Sequence, residues 1–121
     1  GRERRRLMWS VNRSVLVVRP RQPYLDWVHS LDEGGKKFTL ADLRQECTSY
    51  LVPQWEYEDQ KDEILADVHL EVFEHELWAW MRDPAVWPWK RDLATFKAWF
   101  ELEFCSVTMD VVGGFIELEE E

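Results

Sequence analysis

Ser14-Val-Leu-Val-Val18 is an unbroken β-branched run closed by Arg19-Pro20, and it predicts a short buried strand. Behind Pro20 and Pro23, the residues Tyr24, Leu25, Val28 and Leu31 recur at helical spacing, so a helix runs from there to a stop before Gly34-Gly35. Trp27 falls off that stripe. Thr39-Leu-Ala-Asp42 is a capping signature for a short helix reaching about Glu46. Thr48-Ser-Tyr-Leu-Val52, closed by Pro53, predicts a second strand.

From Glu58 to Met81 the apolar stripe Ile64, Leu65, Val68, Val72, Phe73, Leu77 and Met81 marks a long helix, with acids on its other side. Asp59, Asp62 and Glu63 sit where the helix dipole favours negative charge. Asp83-Pro84 ends it or opens a new turn, and Trp87-Pro88 breaks the chain again. Asp92 then caps a last helix whose apolar positions, Leu93, Phe96, Phe100, Phe104, Val107 and Val111, carry it to Gly113-Gly114. Phe115-Ile-Glu-Leu118 alternates as a frayed strand or an ordered tail.

These elements describe an α+β domain: a small two- or three-stranded sheet with about three helices packed on one face. The helical stretch between the two strands is long enough for a right-handed crossover, so we expect them to pair in parallel. Two strands make a marginal sheet, and either Phe115–Leu118 or a second chain would extend it. The expected organisation is a flexible basic segment over 1–13, one domain over 14–112 and an acidic tail over 113–121.

Composition adds two facts. The chain of 121 residues carries a formal charge of −9, and it holds eight tryptophans. The charge is uneven: Arg2, Arg4, Arg5 and Arg6 open the chain, acids dominate Glu56 to Glu76, and Glu117, Glu119, Glu120 and Glu121 close it. Such a balance repels phosphate backbones, so no nucleic-acid partner is expected. No apolar run approaches the roughly 20 residues of a membrane helix, so no membrane partner is expected either. The basic start lacks the apolar stretch of a secretory signal, and Met8 is a possible natural initiator. Cys47 and Cys105 form no CxxC pair and read as free thiols in a reducing cytoplasm, with Cys105 a small core residue.

Catalytic signals are weak. His69, Glu71, Glu74, His75 and Glu76 crowd the long helix, and Glu101 and Glu103 would complete an oxygen/nitrogen site if the last helix packs antiparallel to it. An acidic amphipathic helix produces such neighbours by default, and HExxH is absent. Cys47 sits at a helix end that would raise its pKa rather than activate it. Gly34-Gly35-Lys36-Lys37 lacks the strand a phosphate loop needs and reads as an exposed turn. The PxxP of Pro20 to Pro23 serves a strand-to-helix connection as readily as an SH3-like partner. No catalytic, metal or cofactor residue is assigned, and no cofactor is expected.

The tryptophans carry more. Trp78, Trp80, Trp87 and Trp89 straddle a helix end and two prolines, interleaved with Arg82, Lys90 and Arg91. Two readings stand: a satellite cluster closing the core, or an aromatic contact surface built by Trp80, Arg82, Trp87, Trp89 and Arg91. The expected function is a non-enzymatic module that binds a protein partner or itself. The alternatives are a small metal-dependent or carboxylate/His enzyme, and an acidic decoy for a basic nucleic-acid-binding protein.

Several segments also carry a resemblance: Arg19-Pro-Arg-Gln-Pro-Tyr-Leu-Asp-Trp27, Tyr50-Leu-Val-Pro53, Phe73-Glu-His-Glu-Leu-Trp78, Trp87-Pro88 with Arg91, and Phe96 to Ser106. Over Arg19 to Asp110 the chain resembles a family of short bacterial proteins without an assigned activity. The resemblance implies a single cytoplasmic domain and lends no functional residue.

Overall fold

In the computed structural model, residues 8–31 and 37–120 are described. The element order is β1 (Trp9–Ser10), β2 (Ser14–Pro20), α1 (Gln22–Ser30), α2 (Leu40–Arg44), β3 (Thr48–Val52), α3 (Gln60–Trp78), a 3-10 turn (Pro84–Val86), α4 (Leu93–Trp99), β4 (Phe100–Cys105) and β5 (Met109–Asp110). The fold is α+β, as expected, with a three-stranded sheet in the order β3-β2-β4 and a two-stranded ribbon of β1 and β5. The Gly34-Gly35 stop, Lys36 of the turn after it and the Arg-rich start lie outside the described residues.

Both expectations about pairing fail. β2 and β3 are antiparallel, with Leu16 opposite Tyr50 and Val18 opposite Thr48. The two expected helices fill the connection between them, but the chain returns to the end of the sheet it left. The third strand is neither Phe115–Leu118 nor a second chain; it is β4, antiparallel to β2 with Leu16 opposite Phe104.

That strand replaces most of the expected last helix. A spacing of four satisfies a helix face and a strand face alike, because four is close to one helical turn and is also two strand periods. Phe100 and Phe104 therefore fit either state, and Leu102 between them decides for the strand: all three turn inward, while Glu101 and Glu103 turn outward. Glu101 and Glu103 consequently face Arg44 and Arg19 rather than the long helix, Arg19 Nη1 donating to Glu103 Oε1 at 2.7 Å and Arg44 Nη2 donating to Glu101 Oε1. Cys105 is exposed on the outer side of β4, not in the core.

The caps hold as read. Thr39 and Asp42 form a reciprocal capping box at α2, Asp83 accepts from Ala85 N–H, and Asp92 accepts from Thr95 N–H. Strand β2 buries Ser14, Leu16, Val18 and Pro20 on the helix-covered face. Against it pack Ile64, Leu65, Val72, Phe73 and Leu77 of α3 and Phe96 of α4. The densest part is aromatic. Phe73 lies 5.8 Å from Phe96, 5.5 Å from Phe100 and 5.4 Å from Trp99 between ring centroids. Tyr24 lies 5.2 Å from Phe100 and 5.6 Å from Trp27. Burial of each such ring contributes about 1.5–3 kcal/mol, and the tilted contacts about 0.5–1.5 kcal/mol more. Trp27, off the helix stripe in sequence, is buried in this cluster.

β1 and β5 prolong the β2–β4 pairing with a one-residue change of register. Val15 faces Cys105, while Ser10 faces Met109, so one strand carries an extra residue between them. Val11 N–H donates to Thr108 O and Ser14 Oγ to Ser106 O across the break, a bulge-like arrangement that separates the ribbon's ladder from that of the sheet. None of the described helices is long and apolar enough to cross a membrane.

Candidate functional site

The α3–α4 connection holds the five residues singled out in the sequence, and the structure gives them different roles. A helix end leaves carbonyls without partners, and here aromatic heads supply them. At the end of α3, Trp80 N–H donates to Leu77 O instead of Glu76 O. Glu76 O is taken by the Tyr24 hydroxyl at 2.5 Å. Beyond it, Trp87 Nε1 donates to Met81 O at 2.7 Å and Trp27 Nε1 donates to Val86 O at 2.9 Å. Tyr24 thus takes a carbonyl of α3, Trp87 closes the proline-broken loop on itself, and Trp27 ties that loop to the core. That arrangement accounts for two of the eight tryptophans: the rings of Trp27 and Trp87 fill apolar space while each N–H satisfies a loop carbonyl.

Arg91 and Arg82 are engaged as well. Arg91 Nε lies 3.2 Å from Glu74 Oε2 on α3, Arg91 Nη1 donates to Pro88 O at 2.7 Å, and its guanidinium sits 5.8 Å from the Trp87 ring. Arg82 lies 4.4 Å above the ring of Trp78, which in turn stacks on His75. Trp89 is 88% exposed. Trp80 is 37% exposed, and its ring meets Phe38 edge-on at 5.1 Å. Of the five, then, Trp80 and Trp89 present ring surface to solvent, while Trp87 is half-buried and both arginines are held by neighbours.

The crowded acids and histidines of α3 also separate. His69 Nδ1 faces the carbonyls of Leu65 and Ala66, Glu71 is exposed, and Glu74 faces Arg91. Only His75 and Glu76 come together, through Tyr50 of β3. Tyr50 Oη donates to Glu76 Oε2 at 2.5 Å and lies 2.8 Å from His75 Nδ1. Glu76 is 8% exposed, and burial raises its carboxyl above the usual carboxylate range even though hydrogen bonds from Tyr50 and Thr48 and the neighbouring His75 pull the other way. Burial and the Glu76 charge likewise raise the Tyr50 hydroxyl. The arrangement locks β3 to α3. Among the described residues no three His, Cys, Asp or Glu side chains converge as a metal ion would require.

Compared with protein families, with curated proteins and with solved structures, the chain matches none. Geometry alone guides the functional reading.

Sequence reasoning missed an exposed apolar surface at the ribbon. Met8, Trp9, Met109, Val111, Val112 and Phe115 are all exposed. Asp110 Oδ1 accepts from Val112 N–H and Gly113 N–H, reversing the chain just after β5. Phe115 and Ile116 then line, with Val11, Leu51, Met109 and Val112, a groove of about 290 Å³. A signal was present: the Val107–Val112 and Phe115–Leu118 stretches are too apolar for solvated segments, but a helical reading buried the first.

Proposed function

We propose that this chain is a non-enzymatic protein-interaction module that self-associates through the ribbon end. The carrying observation is the continuity of the exposed apolar surface: Trp9 packs on Gly113, and Leu51, Met109, Val112, Phe115 and Ile116 share one groove. Surfaces of this kind mark interaction sites more often than they persist bare on a monomer. A second copy suits this face for two reasons. Among the described residues β1 and β5 pair only with each other, so each offers an outer edge that another strand can meet. The face is also flanked in sequence by opposite charges, Arg2 to Arg6 before Trp9 and Glu117 to Glu121 after Ile116, a self-complementary pattern.

Sedimentation velocity over a range of concentrations tests the proposal. The expected result is a concentration-dependent dimer that the paired change Val112→Asp with Phe115→Asp abolishes without altering the far-ultraviolet circular dichroism of the body. A chain that stays monomeric at every concentration rejects it, and so does a dimer indifferent to the paired change.

A further inference from the structure

The three-stranded sheet has two edges, and they are built differently. Among the described residues β3 and β4 each pair only with β2. β4 carries Glu101 and Glu103 along its length, and its Phe100 N–H is taken by Phe96 O of α4. β3 reads Thr-Ser-Tyr-Leu-Val, with no charge, no proline and an unbroken register against β2. Charges, prolines and bulges are what guard an edge strand against pairing, and β3 has none of them. We infer that the second copy meets this edge, an inference that rests on the self-association proposed above: the two β3 strands lie antiparallel about a two-fold axis at Tyr50, and two three-stranded sheets join as one of six.

Backbone direction decides which groups this edge offers. Successive residues of a strand turn their N–H and C=O to opposite neighbours. Arg21, extended just beyond β2, donates its N–H to Trp99 O, so the odd-numbered residues of β2 address β4. Leu16 and Val18 therefore address β3 and bond with Tyr50 and Thr48. On β3 the N–H and C=O of Ser49 and Leu51 face outward, and both residues are exposed.

Pairing about Tyr50 sets Ser49 against the partner's Leu51 and Leu51 against the partner's Ser49, and each such pair exchanges both of its main-chain hydrogen bonds. Thr48 meets the partner's Val52 on the helix-covered face, and no charged side chain enters the pairing. A strand that is its own complement favours a second copy over a foreign segment. Hydrogen bonds from Thr48 and Tyr50 to Glu76 of α3 hold β3 in place before a partner arrives. Leu51 also lines the ribbon groove with Val112, Phe115 and Ile116. A strand added along β3 extends the sheet face that Leu51 shares with that groove, so one neighbour covers both.

Amide exchange followed by nuclear magnetic resonance, at concentrations below and above the association measured by sedimentation, tests the pairing without any substitution. The Ser49 and Leu51 amides should slow about tenfold or more in the dimer, while those of Tyr50 and Val52, bonded to β2 in both states, change far less. Ser49→Pro removes only an outward donor, at a place where an edge strand accepts proline. It should weaken the dimer about tenfold or more and keep the far-ultraviolet circular dichroism. A dimer in which Ser49 and Leu51 exchange at monomer rates, or a folded Ser49→Pro chain that dimerises as tightly, overturns the pairing and leaves the ribbon contact standing. Protection that survives Val112→Asp with Phe115→Asp supports the pairing and rejects the ribbon contact instead. A chain monomeric at every concentration overturns both and leaves the edge to an extended segment of a different protein. Should Ser49→Pro fail to fold, exchange in the unsubstituted chain decides alone.

Discussion

Two regions of this molecule are rich in large apolar residues, and they handle them in opposite ways. Around the α3–α4 connection, Trp27 of α1 and Trp87 of the loop give their N–H groups to loop carbonyls, and their rings lie buried or half-buried against the core. At the ribbon end, Trp9, Val112 and Phe115 project from a two-stranded pairing that has no helix layer over it. Residue type is shared between the two regions; the supply of packing partners and acceptors differs. An aromatic excess therefore marks a binding surface only where the fold gives the rings nothing else to do. Trp80 and Trp89 are the two members of the connection that meet this condition in part.

The sharpest break between the regions comes from truncation. Trp27→Ala should cost about 3–5 kcal/mol in urea unfolding, the scale for removing a large buried ring. Phe115→Ala should change stability by less than about 0.5 kcal/mol, because its side chain is fully exposed. Comparable costs at both positions would erase the distinction. The subtler probe keeps the ring and removes its donor: Trp27→Phe leaves Val86 O without its partner and should cost about 1–3 kcal/mol. The same change at Trp89, which is 88% exposed, should leave stability within about 0.5 kcal/mol.

Much of the body was legible because its local signals agree. β2, β3, α3 and the caps at Thr39, Asp83 and Asp92 all stand where β-branched runs, a 3.6-residue stripe and capping residues put them. The error at Phe100 has a definite cause, the coincidence of helix and strand periods at a spacing of four, and it carried further errors with it. Once Val107 and Val111 were assigned to a helix stripe, their exposure and the ribbon face disappeared from view. Strand direction was not legible either, since the length of a connection does not reveal whether its helices double back. At the candidate site, sequence identified the segment and the exposed Trp89, but not the acceptors that occupy Trp87, which are backbone carbonyls and leave no residue-type signature.

Between these extremes sits Glu76, a charged residue treated as core. Burial raises its carboxyl above the ordinary range of about 4.3. The folded protein thus keeps a proton that the unfolded chain has already released. The contribution to stability is complete below the ordinary value and is lost as pH rises through the raised folded value. Glu76→Gln removes that decline while leaving an acceptor for Tyr50. Urea unfolding of both proteins from about pH 4 to pH 7 should show the difference in stability moving in favour of the variant as pH rises. A constant difference would mean that the carboxyl titrates alike in both states.

The smallest effect separates the regions by cooperativity rather than by energy. Gly113 has φ of +81°, and a Cβ added there would lie 3.2 Å from the Trp9 ring. Gly113→Ala therefore meets both backbone strain and a displaced indole, with a local cost on the order of 1–2 kcal/mol. Because the ribbon pairs over two residues in each strand and shares little core with the body, that cost should stay local. Hydrogen exchange should show faster exchange at the paired amides of 9–10 and 109–110, with the β2 and α3 amides unchanged and the global unfolding midpoint nearly so. Exchange rising equally in β2 would mean that ribbon and body unfold as one unit. Loss of association in the same variant would tie the self-contact to the Trp9–Gly113 packing itself, since the substitution adds one methyl group and no charge.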